Sequence, residues 1–395
     1  MDSTTADWAG SGLAYLTGPP DGPPDCSRAP VLTEARRVTA DIARLSGVQV
    51  DAATMLAGRA ALRGLCRQGR ISAGGATRLL PTADGWCAIA LPRDEDLEAL
   101  PALLETDTGP AERWPALSSW AAERSSAAVV ARTGLLDIAA AALGEATAST
   151  PAVRSVGDTA EPRRLDGLLV ADLSFLWAGP LCAQLLARAG AIVVKVESFA
   201  RSDGTRRGEP AFFDWMNFGK LSYAVDFDTD IDVLRELLAA ADIVIESSRP
   251  AALTRRGLSA ADVPARAGRV WLRISGYTGQ PVRAAFGDDA AVAGGLVGAD
   301  PDGPVFCGDA IADPLSGLEA ARAVALSLRR GGGELIEVSM AQVAACYAAL
   351  PQASSGCAAP AAPPRPPAAV PAASPLGADN AAVRRIVIER LCAPC

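Results

Sequence analysis

The chain has 395 residues, half of them hydrophobic and 21% charged, with a formal net charge of -8 and a pI near 4.9. That length supports about two or three domains with a well-buried core, and an acidic balance without a basic stripe argues against nucleic-acid binding. Histidine is absent, which removes Ser-His-Asp and Cys-His catalysis, HExxH metal sites and histidine proton shuttles.

Residues 1 to about 150 read as mainly helical, with apolar residues at helical spacing over 52–66 and 118–143. Between them, residues 74–91 read as two short strands joined by the Asp84-Gly85 turn, with an acidic helix from Asp94. Residues 144–164 are rich in Ala, Ser, Thr and Pro and read as a linker. From Leu165 the texture changes. A strand over 168–173, a helix opened by Ala178-Gly179-Pro180 and a strand over 191–197 make a βαβ unit. Strands over 222–227, 242–246, 270–274 and 334–338 then alternate with helices over 231–240, 288–296, 313–330 and 340–349. The alternation predicts an α/β fold, a doubly wound, mostly parallel Rossmann-like sheet with a smaller α+β domain placed N-terminally. The expected organisation is a small domain over 1–143, a linker over 144–164, a large domain over 165–350, and a Pro/Ala-rich tail with a terminal helix over 351–395. Gly12-Leu13 with Pro20-Asp21-Gly22-Pro23 echoes Gly295-Leu296 with Pro301-Asp302-Gly303-Pro304, which shared turn chemistry alone can produce.

Nine cysteines, at 26, 66, 87, 182, 307, 346, 357, 392 and 395, are too scattered for a disulfide framework in a chain this long. The terminal Cys392-Ala393-Pro394-Cys395 lacks the companion pair of a zinc site, so no metal is expected. The N-terminal residues lack the basic and apolar regions of a signal peptide, and no uncharged apolar run reaches about 18 residues. A cytoplasmic protein without membrane contact is expected.

The stretch Phe306 to Gly317 brings a glycine-bearing loop and a carboxylate, Asp313, to the start of a long apolar helix. Locally, Asp313-Pro314 reads as an N-cap followed by proline at the first helical position. It also reads as a working carboxylate in a chain with no histidine. The first strand is followed by neither G-x-G-x-x-G nor a Walker A sequence, so the sheet has no standard phosphate loop.

Several segments together resemble family III CoA-transferases, a superfamily that includes formyl-CoA and carnitine CoA-transferases and alpha-methylacyl-CoA racemases. They are Leu173-Ser174-Phe175-Leu176-Trp177-Ala178-Gly179-Pro180, Ala189 to Glu197, Asn217-Phe218-Gly219-Lys220-Leu221-Ser222, Ala241 to Pro250, Ile274 to Gly279 and Gly333 to Met340. All follow the family's order. The family's nucleophile is an aspartate in a D-x-x-x-G element, which here matches Asp313 and Gly317, with Asp309 out of register. The resemblance implies covalent catalysis by Asp313 through an aspartyl-CoA thioester. It implies an acyl-CoA and a carboxylic acid acceptor as partners, a coenzyme A thioester as substrate with no permanently bound cofactor, and a homodimer. It places CoA against Trp177, Ala178, Ser247, Ser248 and Arg249 in the large domain, with Lys220 and Arg201, Arg206 and Arg207 as further candidates. Backbone N–H groups at Gly294-Gly295 or in the Gly308 loop are the expected oxyanion donors.

Two departures qualify the match. Where the racemases carry a histidine base in a G-H-D segment, this chain has Gly287-Asp288-Asp289. That leaves an acyl-CoA racemase or isomerase using Asp288 and Asp313 as an alternative, beside a non-catalytic CoA-binding partner subunit. The family's small domain follows the strand at Gly333, whereas here the T-x-D-G-W-like hairpin Thr82 to Trp86 comes first. A rearranged order is expected, with residues 70–145 as the small domain.

Overall fold

The computed structural model describes residues 3–107, 112–248, 250–280, 282–357 and 359–392. Its central sheet has seven strands: β4 (Ala152–Ser155), β5 (Leu169–Leu173), β6 (Ile192–Glu197), β7 (Leu221–Ala224), β8 (Ile243–Glu246), β9 (Val270–Ser275) and β12 (Glu334–Ser339). The order is β4-β12-β9-β8-β5-β6-β7, parallel throughout except for the antiparallel edge pair β4–β12. The antiparallel hairpin of β10 (Val297–Asp300) and β11 (Gly303–Phe306) precedes the last large helix. Alternate residues of the central strands enter two different cores. Val170, Ile243, Ile245, Leu272 and Ile336 enter one; Leu169, Ala171, Val244, Trp271 and Leu335 enter the other. Both faces are therefore covered, as a parallel sheet requires.

The helices are α1 (Ser3–Gly10), α2 (Pro30–Ser46), α3 (Ala52–Leu62), α4 (Asp94–Glu98), α5 (Leu100–Leu104), α6 (Arg113–Ala122), α7 (Ser126–Leu135), α8 (Ala178–Arg188), α9 (Pro210–Asn217), α10 (Ile231–Ala240), α11 (Pro250–Thr254), α12 (Gly287–Ala293), α13 (Ala312–Arg329), α14 (Met340–Ala348) and α15 (Asn380–Cys392). Leucines of α8 and α13 fill the first core, those of α10 and the valines of α15 the second. The doubly wound α/β fold read from the sequence is the one observed.

A second, antiparallel sheet orders β1 (Thr77–Thr82), β2 (Gly85–Ala90) and β3 (Ala139–Ala142) as β1-β2-β3. Leu80, Cys87 and Ile89 on one face pack with Leu103, Trp114, Leu117 and Val129. Leu79 and Ala88 on the other meet Val292 and Phe306, which docks this sheet against α12 and β11. The helical spacing over 118–143 breaks into α6, α7 and β3. Ser125 caps α7 by accepting from the Ala128 N–H, and the four alanines of β3, good helix formers, pair instead with the open edge of β2.

The described residues up to 143 contribute to three clusters, counting the one formed by Leu79 and Ala88 with α12 and β11. Trp8, Leu13, Leu32, Ile42 and Leu56 of the N-terminal helices lie in the first core with the large sheet, while only the β1–β3 unit has a core of its own. The linker segment 144–164 carries β4, an edge strand of the large sheet. One disulfide, Cys26–Cys357, is formed, because the Pro-rich tail returns over the N-terminal helices. The Ala353 N–H donates to Ser27 O (3.0 Å) and the Ala362 N–H to Ala9 O (2.9 Å). Cys395 lies outside the described residues. No helix among them is long and apolar enough to cross a membrane.

Candidate active site

Parallel order places β5 beside both β6 and β8, so the chain leaves β5 in one direction and later returns on its other side. Ligands of doubly wound sheets bind at the carboxyl ends of strands at such a reversal. The residues there are Ser174 to Ala178 after β5 and Ser247-Ser248 after β8, joined by the Phe175 N–H donating to Ser247 Oγ (3.2 Å). The turn after β5 is strained: Leu176 has φ 69° and a 40% exposed side chain. Both lysines of the chain brace it from below. Lys195 Nζ donates to Ser174 O (2.9 Å) and pairs with Asp203 (2.9 Å). Lys220 Nζ donates to Asp172 Oδ2 (3.0 Å), Pro180 O (3.0 Å) and Asn217 Oδ1 (3.1 Å). Buried with all three donors engaged, Lys220 is a structural brace, so it is dropped as a phosphate ligand. Arg206 likewise forks onto Glu197 and lies over the Phe213 ring. Arg249 lies outside the described residues.

Trp177 and Ala178 are buried where the turn enters α8. The next helix to cross is α13. A Cβ on Gly317 would fall 2.7 Å from Ala178 O and 3.0 Å from Leu181, so glycine there lets the two helices close up. One turn earlier on the same helix stands Asp313. Its backbone is helical, α13 starting at Ala312 with Ile311 as N-cap and no side-chain cap bond. The N-cap reading of Asp313 is therefore corrected, because the loop turns in two residues earlier, at Ile311. The left-handed Ala310 (φ 43°) makes that entry, and its carbonyl accepts from the Asp313 N–H (2.9 Å). The Asp313 carboxylate is free of capping duty. Instead it rests against Gly287, where any Cβ would collide with Asp313 Oδ2 and Ala310 O.

Three more carboxylates surround it. Asp309 is fully buried and receives a fork from Arg59 of α3: Nε to Oδ2 at 2.8 Å and Nη2 to Oδ1 at 2.7 Å. Asp288 accepts from the Ala310 N–H (3.0 Å) and from Thr77 Oγ1 of β1 (3.3 Å), so the small sheet touches the site. Asp289 accepts from Tyr277 OH (2.8 Å) and the Phe286 N–H (2.6 Å). Arg59 stacks 5.0 Å from the Trp177 ring centroid and 5.8 Å from that of Phe212. Those rings meet edge to face at 5.4 Å. Arg59 thus ties the Asp313 cluster to the turn at the sheet reversal.

Burial dominates the titration of this cluster. It pushes Asp313 up to about 7 against the Arg59 charge, with Asp288, Asp289 and Asp309 adding to the rise. Burial and the Asp309 charge push Asp288 up to about 6, and burial takes Asp289 to about 7. As pH rises, Asp288 gives up its proton first, and Asp313 and Asp289 follow near neutral pH. Of the expected oxyanion donors, three are engaged elsewhere: Gly308 N–H donates to Thr17 Oγ1 (3.1 Å), Gly294 N–H to Ala290 O (3.1 Å) and Gly295 N–H to Val292 O (2.9 Å). Among the described residues no group of three or more Cys, Asp or Glu is arranged to hold a metal ion.

Arg59 and Thr77 were not singled out from the sequence. A signal for Arg59 existed: Ala52, Met55 and Leu56 define the buried stripe of α3, and Arg59 stands at its next position.

The family model for CoA-transferase family III matches residues 165–390, more than half of the chain. Succinyl-CoA–D-citramalate CoA-transferase of Chloroflexus aurantiacus is 31% identical over 200 residues, 45% of this chain and 50% of that protein. Succinyl-CoA:glutarate CoA-transferase of Mus musculus is 31% identical over 207 residues, 47% of this chain and 48% of that protein. A crystal structure of a hypothetical protein from Mycobacterium tuberculosis aligns at 30% identity with a TM-score of 0.43, covering 48% of this chain and 57% of that one. The chain spans about half the length of the curated relatives it matches. With residues 165–390 matched, the chain belongs to CoA-transferase family III.

Proposed function

We propose that the protein is an acyl-CoA:carboxylate CoA-transferase acting through Asp313. The observation that carries this reading is a helix-start carboxylate with no capping bond, raised to about 7 by burial and set opposite Arg59. Ionised Asp313 attacks the thioester carbonyl carbon. The C–S bond breaks, leaving a mixed anhydride and CoA thiolate. The thiolate attacks the aspartyl carbonyl of the anhydride, releasing the donor acid as its carboxylate and forming aspartyl-CoA. The acceptor carboxylate then attacks the aspartyl thioester, and the returning thiolate takes the acceptor's acyl carbon, regenerating Asp313. Trp177, Ala178, Ser247 and Ser248 line the CoA end in this reading, with Arg249 as a further candidate. The β1–β3 unit stands as the small domain, placed first in the chain.

The test is CoA transfer from succinyl-CoA to glutarate, citramalate and other acids, the first two chosen from the relatives' names. Wild-type protein is expected to transfer and to give an acyl or CoA adduct on the peptide carrying Asp313. Asp313→Ala is expected to lose transfer and keep CoA binding; full activity in that variant overturns the assignment. A second reading, racemisation or isomerisation at the acyl α-carbon, is favoured by Asp288, raised to about 6 beside Asp313. Deuterium wash-in at that carbon without acceptor acid separates the two.

A further inference from the structure

We infer that residues 3–46 are a second, chemically disarmed copy of the 287–329 element, seated on it about a pseudo-two-fold axis, so that a single chain forms a paired unit with one working site.

The sequence echo extends well beyond its turn. Setting Cys26 against Cys307 aligns Pro20-Asp21-Gly22-Pro23 with Pro301-Asp302-Gly303-Pro304 and Ala29 with Ala310. Two extra residues before Pro20 then bring Gly12-Leu13 onto Gly295-Leu296. Shared turn chemistry accounts for the Pro-Asp-Gly-Pro segment alone. It does not account for the flanking helices, which also correspond: α1 with α12, and α2 with α13, whose starts fall one residue apart in this register.

Contacts between the copies are reciprocal. The Gly308 N–H, after the second copy's turn, donates to Thr17 Oγ1, before the first copy's turn (3.1 Å). The Ala299 N–H, before the second turn, donates to Asp25 Oδ2, after the first (3.0 Å). Helix α2 packs along α13. Between them Asp41 pairs with Arg322 at 3.6 Å, and these two residues are counterparts in the same register. A residue meets its own counterpart only beside a two-fold axis, the mark of an isologous interface. In a symmetric homodimer that position sets like charge against like; here it is complementary, which favours the intramolecular pairing.

The first copy has lost the chemistry. Leu32, buried in the core, stands at the Asp313 position, Arg28 at the Asp309 position and Thr5 at the Asp288 position. Arg28 instead clamps the copies together, donating to Val297 O (2.7 Å), Gly295 O (3.0 Å) and Ala348 O (3.0 Å). The chain then runs from α2 into α3, which delivers Arg59 to Asp309 of the working copy. The disarmed copy thereby completes the one site and covers the α13 face on which a second chain would dock.

The inference takes the Asp313 site from the functional reading, but its deciding measurement needs no activity. Light scattering on the full chain, from nanomolar to high micromolar concentration, is expected to return the single-chain mass of 40.4 kDa throughout. Twice that mass, whether from a symmetric or a swapped dimer, overturns it. Calorimetric titration with CoA is expected to saturate at one per chain, and two equivalent sites overturn the disarmed copy. Absence of CoA binding overturns the functional reading and leaves the mass to decide this one.

Discussion

Arg59 and Asp309 are 250 residues apart in sequence and meet through two hydrogen bonds of 2.7 and 2.8 Å. The fork leaves Asp309 fully buried with its charge compensated. Arg59→Met is expected to strand that carboxylate and to cost about 3–5 kcal/mol, the usual penalty for breaking a buried pair from one side. Urea unfolding measures it. Adding Asp309→Leu should recover most of the loss, because removing both partners leaves no stranded charge. A double variant as unstable as the single one would show that Arg59 acts through its stacking on Trp177 instead.

The pH response follows from Asp313, Asp288 and Asp289, all raised above the ordinary carboxylate value. In the unfolded chain these groups ionise near 4; in the folded chain they hold protons to about 6 or 7. Between those limits the folded state binds more protons, so their contribution to stability is full below pH 4 and is lost as pH rises through 7. Asp313→Asn removes one such group. It should gain stability relative to wild type at pH 8 but not at pH 4, read as the difference in Tm across that range. If Asp313 is the nucleophile as proposed, transfer by the wild type should rise with pH through about 7, where that carboxyl ionises.

Much of this was legible in the sequence because the large sheet's strands are continuous apolar runs between turn signals. The βαβ unit from Leu169 to Glu197 and α13 read directly. What could not be read depended on contacts distant in sequence. The alanines of β3 favour a helix and are drawn into a strand only because β2 offers an edge. Lys220 sat in a motif that suggests a ligand, and its burial under β5 and α8 is a tertiary fact. Asp313 was visible as a residue. Its release from capping duty depended on Ala310 adopting a left-handed backbone, which no local pattern announces.

The Cys26–Cys357 bond ties the returning tail to the start of α2 across 331 residues of sequence. Cys357→Ser should lower stability by about 2–4 kcal/mol, chiefly by freeing the unfolded chain. Thermal unfolding with and without reductant checks it: reductant should move the wild type towards the variant and leave the variant unchanged. A wild type indifferent to reductant would mean that the two thiols do not pair in solution.

Gly287 gives the sharpest test of the site's geometry. Its backbone φ is one that any residue adopts, so replacement strains nothing locally. A methyl group there would collide with Asp313 Oδ2 and Ala310 O, and it cannot move away because α12 is packed on its other side by the β1–β2 sheet. Gly287→Ala is therefore expected to displace the carboxylate while costing only about 1–3 kcal/mol of stability from overpacking. A nucleophile moved by about an ångström should lower kcat on the order of a hundredfold. KM for the thioester should change much less, since the turn at Trp177, where CoA is proposed to bind, is untouched. Gly134→Ala on α7, where a Cβ meets nothing within 4 Å, is the control and should leave both constants as they are. Equal kcat in Gly287→Ala and wild type would remove Asp313 from the reaction as firmly as an active Asp313→Ala.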